Sequence, residues 1–94
     1  RNYRRISITI KYFNMSKIYY FSAPWCGPCK QLAPTMERSG LPFQKVNVDE
    51  DSSLSTKFGI RNVPTLVKVD SNDNEVSRLV GNNPLDKIQS WYNG

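Results

Sequence analysis

Ile18-Tyr19-Tyr20-Phe21 is an unbroken apolar run, aromatic and β-branched, with no polar residue in alternation. That pattern predicts a strand covered on both faces. Ser22-Ala23-Pro24 ends it, and from Cys26 onward the period becomes helical. Cys29, Leu32, Ala33 and Met36 fall at i, i+3, i+4 and i+7 and share one face. Pro34 lies inside this helix, where its missing N–H predicts a kink, and Ser39-Gly40 stops it. Phe43 to Val48 alternates as a second strand, with Val46 and Val48 on one face and Lys45 and Asn47 on the other. Asp49 to Ser52 supply helix-start residues for a short helix carrying Leu54 and Phe58, which ends at Gly59. Thr65 to Asp70 and Glu75 to Val80 read as a hairpin around the polar turn Ser71-Asn72-Asp73-Asn74. Asn83-Pro84 reads as N-cap and first residue of a closing helix whose apolar face is Leu85, Ile88, Trp91 and Tyr92. The order β-α-β-α-β-β-α predicts an α/β fold, a four-stranded mixed sheet with helices on both faces. Ile6, Ile8 and Ile10 also alternate and, if ordered, would add a fifth, N-terminal strand at an edge.

Ninety-four residues make one small domain, and its charge is unevenly placed. The net charge is +5, but four of the thirteen basic side chains (Arg1, Arg4, Arg5 and Lys11) lie in residues 1–14, which contain no acid. The remainder carries nine basic against eight acidic groups, too even a balance for a nucleic-acid surface. Residues 1–14 therefore read as a basic tail of non-native origin, from an upstream reading frame, or as the remnant of a transit peptide. Met15-Ser16-Lys17 reads as the natural start of a domain over 15–94. No apolar stretch approaches the ~18 residues of a membrane span, and residues 1–14 make a poor secretory signal. A monomeric, cytoplasmic protein without membrane or nucleic-acid partners is expected.

The only two cysteines stand in Trp25-Cys26-Gly27-Pro28-Cys29-Lys30, at the passage from the first strand to the first helix. Two cysteines three apart constrain too little chain to staple a fold. Zinc would need two further ligands, and the chain has no histidine and no third cysteine. A redox pair is what remains. The free N–H groups and dipole of a helix start stabilise a thiolate at Cys26. Cys29 belongs to the inward stripe and Cys26 does not, so the spacing predicts one accessible and one sheltered sulfur. Cys26 is then the attacking nucleophile and Cys29 the thiol that resolves the mixed disulfide, with Gly27-Pro28 fixing the turn between them.

This hexad resembles the active site of the thioredoxin family. Gly59-Ile60-Arg61-Asn62-Val63-Pro64-Thr65-Leu66 is similar to that family's cis-proline loop, and Val80-Gly81 to a glycine position beside its active site. Order and spacing agree over residues 17–94. The resemblance implies a cis bond before Pro64, with the backbone of Val63 turned toward the nucleophile to pair with an extended substrate. It implies contact surface at Trp25, and close approach of a substrate chain at Gly81. The chain departs from the family in two ways. The strand and helix that usually precede the CxxC strand do not fit in fourteen residues, so a minimal thioredoxin of glutaredoxin-like length is expected. The position of the family's buried aspartate is Tyr20, a phenol that cannot do carboxylate work at neutral pH without a large shift. Lys45 matches the lysine that partners that aspartate. Desolvated and alone, it would favour a Cys29 thiolate, whereas the Tyr20 hydroxyl would donate a hydrogen bond to it.

The resemblance implies a thiol–disulfide oxidoreductase that reduces disulfide-containing proteins. It would need no cofactor or metal beyond the Cys26–Cys29 disulfide, and a thioredoxin reductase or equivalent donor would recycle it. Two alternatives stand beside it: a glutaredoxin-like reductase recycled by glutathione, and a thioredoxin-fold interaction subunit of a larger enzyme.

Overall fold

A computed structural model describes residues 16–94. Its elements are β1 (Lys17–Ser22), α1 (Gly27–Ser39), β2 (Phe43–Asn47), α2 (Ser52–Lys57), β3 (Thr65–Val69), β4 (Glu75–Val80) and α3 (Leu85–Asn93). The expected order and four-stranded mixed sheet are present, with strand order β2-β1-β3-β4. β1 runs parallel to β2 and antiparallel to β3, and β3 is antiparallel to β4. The tail and the strand expected over Ile6–Ile10 lie outside the described residues.

β1 is central, and its unbroken apolar run is divided between the two faces. Ile18 and Tyr20 pack with Leu32 and Met36 of α1, Leu66 of β3 and Ile88 of α3. Tyr19 and Phe21 face the other way, onto Val46, Phe58, Val67 and Val69, with Leu54 of α2 against them. β3 is buried at every position, including Lys68. The aliphatic stem of Lys68 lies in the sheet, and its ammonium donates to the Tyr92 carbonyl at 2.6 Å, at the electronegative end of α3. The Tyr92 hydroxyl donates to the Ser16 carbonyl, tying the start of β1 to the same helix.

Local chemistry sets the element ends. Gly40 adopts φ 71°, the left-handed conformation that closes α1, which stays one helix through Pro34. Asp51 caps α2 by accepting the Leu54 N–H at 3.2 Å. The start of α3 differs from expectation. Pro84, with ψ 158°, is the cap residue and the helix begins at Leu85 without a side-chain cap. Asn83 instead turns back to β4, donating to the carbonyls of Val80 and Gly81 at 3.1 Å each.

Burial raises the pKa of the Tyr20 and Tyr92 phenols, and burial with the Asp73 hydrogen bond raises that of Tyr19. Folded-state values above the unfolded 10.0 mean stability is fully present below that pH. It is lost as pH rises through the folded values, because the unfolded chain releases its phenolic protons first. The urea midpoint is expected to fall from about pH 9 to about pH 11.5, and to fall less in Tyr20→Phe. An equal fall in both proteins would show that Tyr20 does not contribute.

Candidate active site

The β1–α1 junction is built from backbone bonds. After Ser22 the chain turns, with Cys26 N–H donating to the Ala23 carbonyl at 3.2 Å. Cys26 is the extended N-cap of α1, and its carbonyl accepts the Lys30 N–H at 3.3 Å. Pro28 stands in the first turn, where no N–H is required. The Cys29 N–H donates to Cys26 Sγ at 3.1 Å, so a sulfur fills the place usually taken by a hydroxyl or carboxylate. The first turn contains no acid to oppose negative charge there. Cys26 and Cys29 are joined as a disulfide with their Cα atoms 5.2 Å apart.

A second wall comes from the loop before β3. The Val63-Pro64 peptide is cis, and the Val63 carbonyl oxygen lies 3.6 Å from Cys26 Sγ. The disulfide has no S–H to donate across that gap, whereas a thiol would have one. The Pro64 carbonyl accepts the Gly81 N–H at 2.8 Å, which brings the end of β4 against this loop. Gly81 has φ 96°, a conformation costly to any side-chain-bearing residue.

Trp25 is 69% exposed and reaches over the junction, where its indole N–H donates to Asp49 Oδ2 at 2.9 Å. Sequence reasoning took Asp49 only as a helix-start residue. The signal it lacked is the parallel register of β1 and β2, which aligns Ser22 with Asn47 and brings the residues just beyond them together. Asn47 Oδ1 accepts the Asp49 N–H at 2.9 Å and steadies that turn. Trp25, Val48, Ser55, Ile60, Arg61, Asn62 and Val63 line a groove of about 330 Å³ along this side of Cys26.

As whole residues the two cysteines show almost no difference in burial. Cys26 is 4% exposed and Cys29 3%, because Ala23, Val48 and Val63 pack around both. The helical stripe registered only what α1 buries and was blind to the loops that cover its first turn. What separates the cysteines is hydrogen bonding: Cys26 Sγ receives a backbone N–H, with a carbonyl 3.6 Å away.

Tyr20 and Lys45 also differ from expectation. The Tyr20 ring is fully buried under α1, and its hydroxyl donates to the Cys29 carbonyl oxygen at 2.7 Å rather than to a sulfur. Lys45 pairs with Tyr20 across the β1–β2 ladder, but β2 is an edge strand and the residue is exposed, not desolvated. It lines an open hollow of about 590 Å³ together with Ser22, Ala23, Cys29, Lys30 and Glu50. Gly27 and Pro28 are exposed, and Pro64 is fully buried.

Paired cysteines at a helix N-terminus, on a mixed sheet and beside a cis-proline loop, define a thiol–disulfide oxidoreductase. A family model described as Thioredoxin matches residues 9–94. The chain is 35% identical over 79 residues to thioredoxin of Haemophilus influenzae, covering 78% of this chain and 73% of that protein. It is also 35% identical over 79 residues to thioredoxin of Bacillus subtilis, covering 78% and 75%. Among solved structures, a mutant thioredoxin from Halobacterium salinarum superposes with a TM-score of 0.77 at 32% identity, over 84% of this chain and 73% of that one. The chain belongs to the thioredoxin family.

Proposed function

We propose that the protein reduces disulfides in other proteins through Cys26 and Cys29, with Cys26 as nucleophile. The observation that carries this reading is the Cys29 N–H donated to Cys26 Sγ at 3.1 Å at the N-cap of α1. That bond and the helix dipole favour a thiolate at Cys26, and among the described residues no equivalent backbone donor serves Cys29. In the reduced protein the Cys26 thiolate attacks one sulfur of the target disulfide. The target S–S bond breaks, and the departing thiolate takes a proton from water. The Cys29 thiol gives up its proton and attacks Cys26 Sγ, releasing the second target thiolate. Two electrons have then passed to the target, and the cysteine pair is left as the disulfide.

Trp25, Gly27, Pro28, Val63 and Gly81 form the surface on which the target chain lies, and the buried Pro64 positions the Val63 backbone beneath it. The cis Val63-Pro64 bond and the nearby Val63 carbonyl support backbone pairing with an extended segment. The groove beside Trp25 supports apolar contact at the flank. The reaction needs no bound cofactor, acts on disulfide-bearing protein partners and depends on an external donor, a thioredoxin reductase or its equivalent. A reducing cytoplasm is the compartment that suits this direction.

Insulin reduction supported by NADPH and thioredoxin reductase is the direct test. Turnover with that couple, and little with glutathione and glutathione reductase, is the expected result. Turnover with glutathione alone would favour the glutaredoxin-like reading, and no turnover with either would remove the reductase assignment.

A further inference from the structure

The substrate side of the disulfide is the groove at Trp25 and Val63, yet the larger hollow opens on the other cysteine. Its lining includes Cys29 but not Cys26, and its three charged members come from different segments: Lys30 from α1, Lys45 from β2 and Glu50 from the loop after β2. All three are exposed, and among the described residues none is held in a salt bridge. From the sheet side the titratable group facing Cys29 is Tyr20 of β1, whose hydroxyl donates to the Cys29 carbonyl. A neutral phenol therefore stands behind Cys29, and every formal charge bordering it is on the solvent side.

We infer that the resolving step of Cys29 is governed by the opposed surface charges of Lys30, Lys45 and Glu50 around this hollow, and is therefore sensitive to ionic strength. The inference rests on the proposed role of Cys29 as resolving thiol. The two ammonium groups stabilise the Cys29 thiolate and the carboxylate opposes it. Charges interacting across water-filled space act through a high effective dielectric, so each is a modest influence that salt screens. The rate follows thiolate fraction, partly offset because a thiolate of lower pKa is a weaker nucleophile. Lys30, Lys45 and Glu50 are thus positioning charges that act through Cys29, not groups that touch the substrate.

The test mixes the reduced full chain with excess 4,4′-dithiodipyridine, a neutral disulfide whose thiopyridone product is followed by absorbance. The first release, dependent on reagent concentration, reports attack by Cys26. The second, independent of it, reports resolution by Cys29. At about 20 mM salt and pH 7, Glu50→Lys is expected to speed the second release about fourfold and Lys45→Glu to slow it about fourfold. The pH midpoint of that phase is expected to move down in the first variant and up in the second. Lys45→Arg should keep the native rate. At about 0.5 M salt all rates should converge, because the screening length is then about 4 Å. Effects of the same sign, or opposite effects that persist in high salt, would overturn the inference. Cys29→Ser tests the underlying role separately. It should release one thiopyridone, and release of two would remove Cys29 from the resolving step whatever the charge variants do.

Discussion

Cys29→Ser is expected to attack disulfides at near the native rate and then stop as a stable mixed disulfide, whereas Cys26→Ser falls to the rate of buffer alone. Mass spectrometry after one turnover would detect the trapped adduct on Cys26. As whole residues the two cysteines are almost equally buried, at 4% and 3% exposure, so residue burial does not account for this asymmetry. It comes from the Cys29 N–H that holds Cys26 Sγ at 3.1 Å at the head of α1. Such a donor at a helix start lowers the thiol's pKa and raises its thiolate fraction at neutral pH above that of an ordinary cysteine. Lower intrinsic nucleophilicity takes back part of that advantage and leaves a few-fold preference in simple alkylation. Iodoacetamide at pH 7 should therefore label Cys26 first, by a few-fold. Faster labelling of Cys29, or an adduct trapped in Cys26→Ser, would reverse the two roles.

Tyr20→Asp, which restores the residue type usual in the family, is expected to unfold the domain or lower its melting temperature by more than about 20 °C. Tyr20 is 1% exposed among Ile18, Leu32, Met36, Leu66 and Ile88, and its ring meets Phe43 edge-on at 6.2 Å. Removing a buried aromatic ring costs about 3–5 kcal/mol, and burying a carboxylate without a partner adds more. A small domain holds only about 5–10 kcal/mol in total, and about 1 kcal/mol moves its melting point by roughly 4–8 °C. The introduced carboxyl would be forced above its unfolded pKa near 3.9, so the loss relative to native should be smaller at about pH 4 than at about pH 7. Tyr20→Phe keeps the ring and loses only the hydrogen bond to the Cys29 carbonyl, a loss of about 1 kcal/mol. Thermal melts of both variants at the two pH values decide this. A Tyr20→Asp protein as stable as the native one would mean that the Tyr20 ring is not an essential part of this core.

The same tyrosine shows where sequence reasoning reached its limit. Six positions before Cys26 it stands in place of an expected acid, and chemistry alone keeps a phenol from carboxylate work at neutral pH. Its hydrogen-bond partner was not legible, because whether the hydroxyl meets a sulfur or a carbonyl depends on the height of α1 above β1. Lys45 was placed on the correct side of β2, opposite Val46, by simple alternation. That it is exposed follows from β2 lying at the sheet edge, and strand order is not written in any one strand.

Period and punctuation were enough for the elements. The apolar run Ile18–Phe21, the helical stripe through Cys29, Leu32 and Met36, and the glycine after Ser39 each report a local preference that the fold then satisfies. The CxxC at a helix start was also local chemistry, since the N–H that meets Cys26 Sγ belongs to a residue three positions on. What tertiary structure alone decided were relations between segments far apart in the chain. Trp25 meets Asp49, Val63 and Val48 close over Cys26, Gly81 bonds to Pro64, and Lys45 and Glu50 share a hollow with Cys29. Such contacts are set by strand order and register, which arise when both faces of a central strand are buried at once.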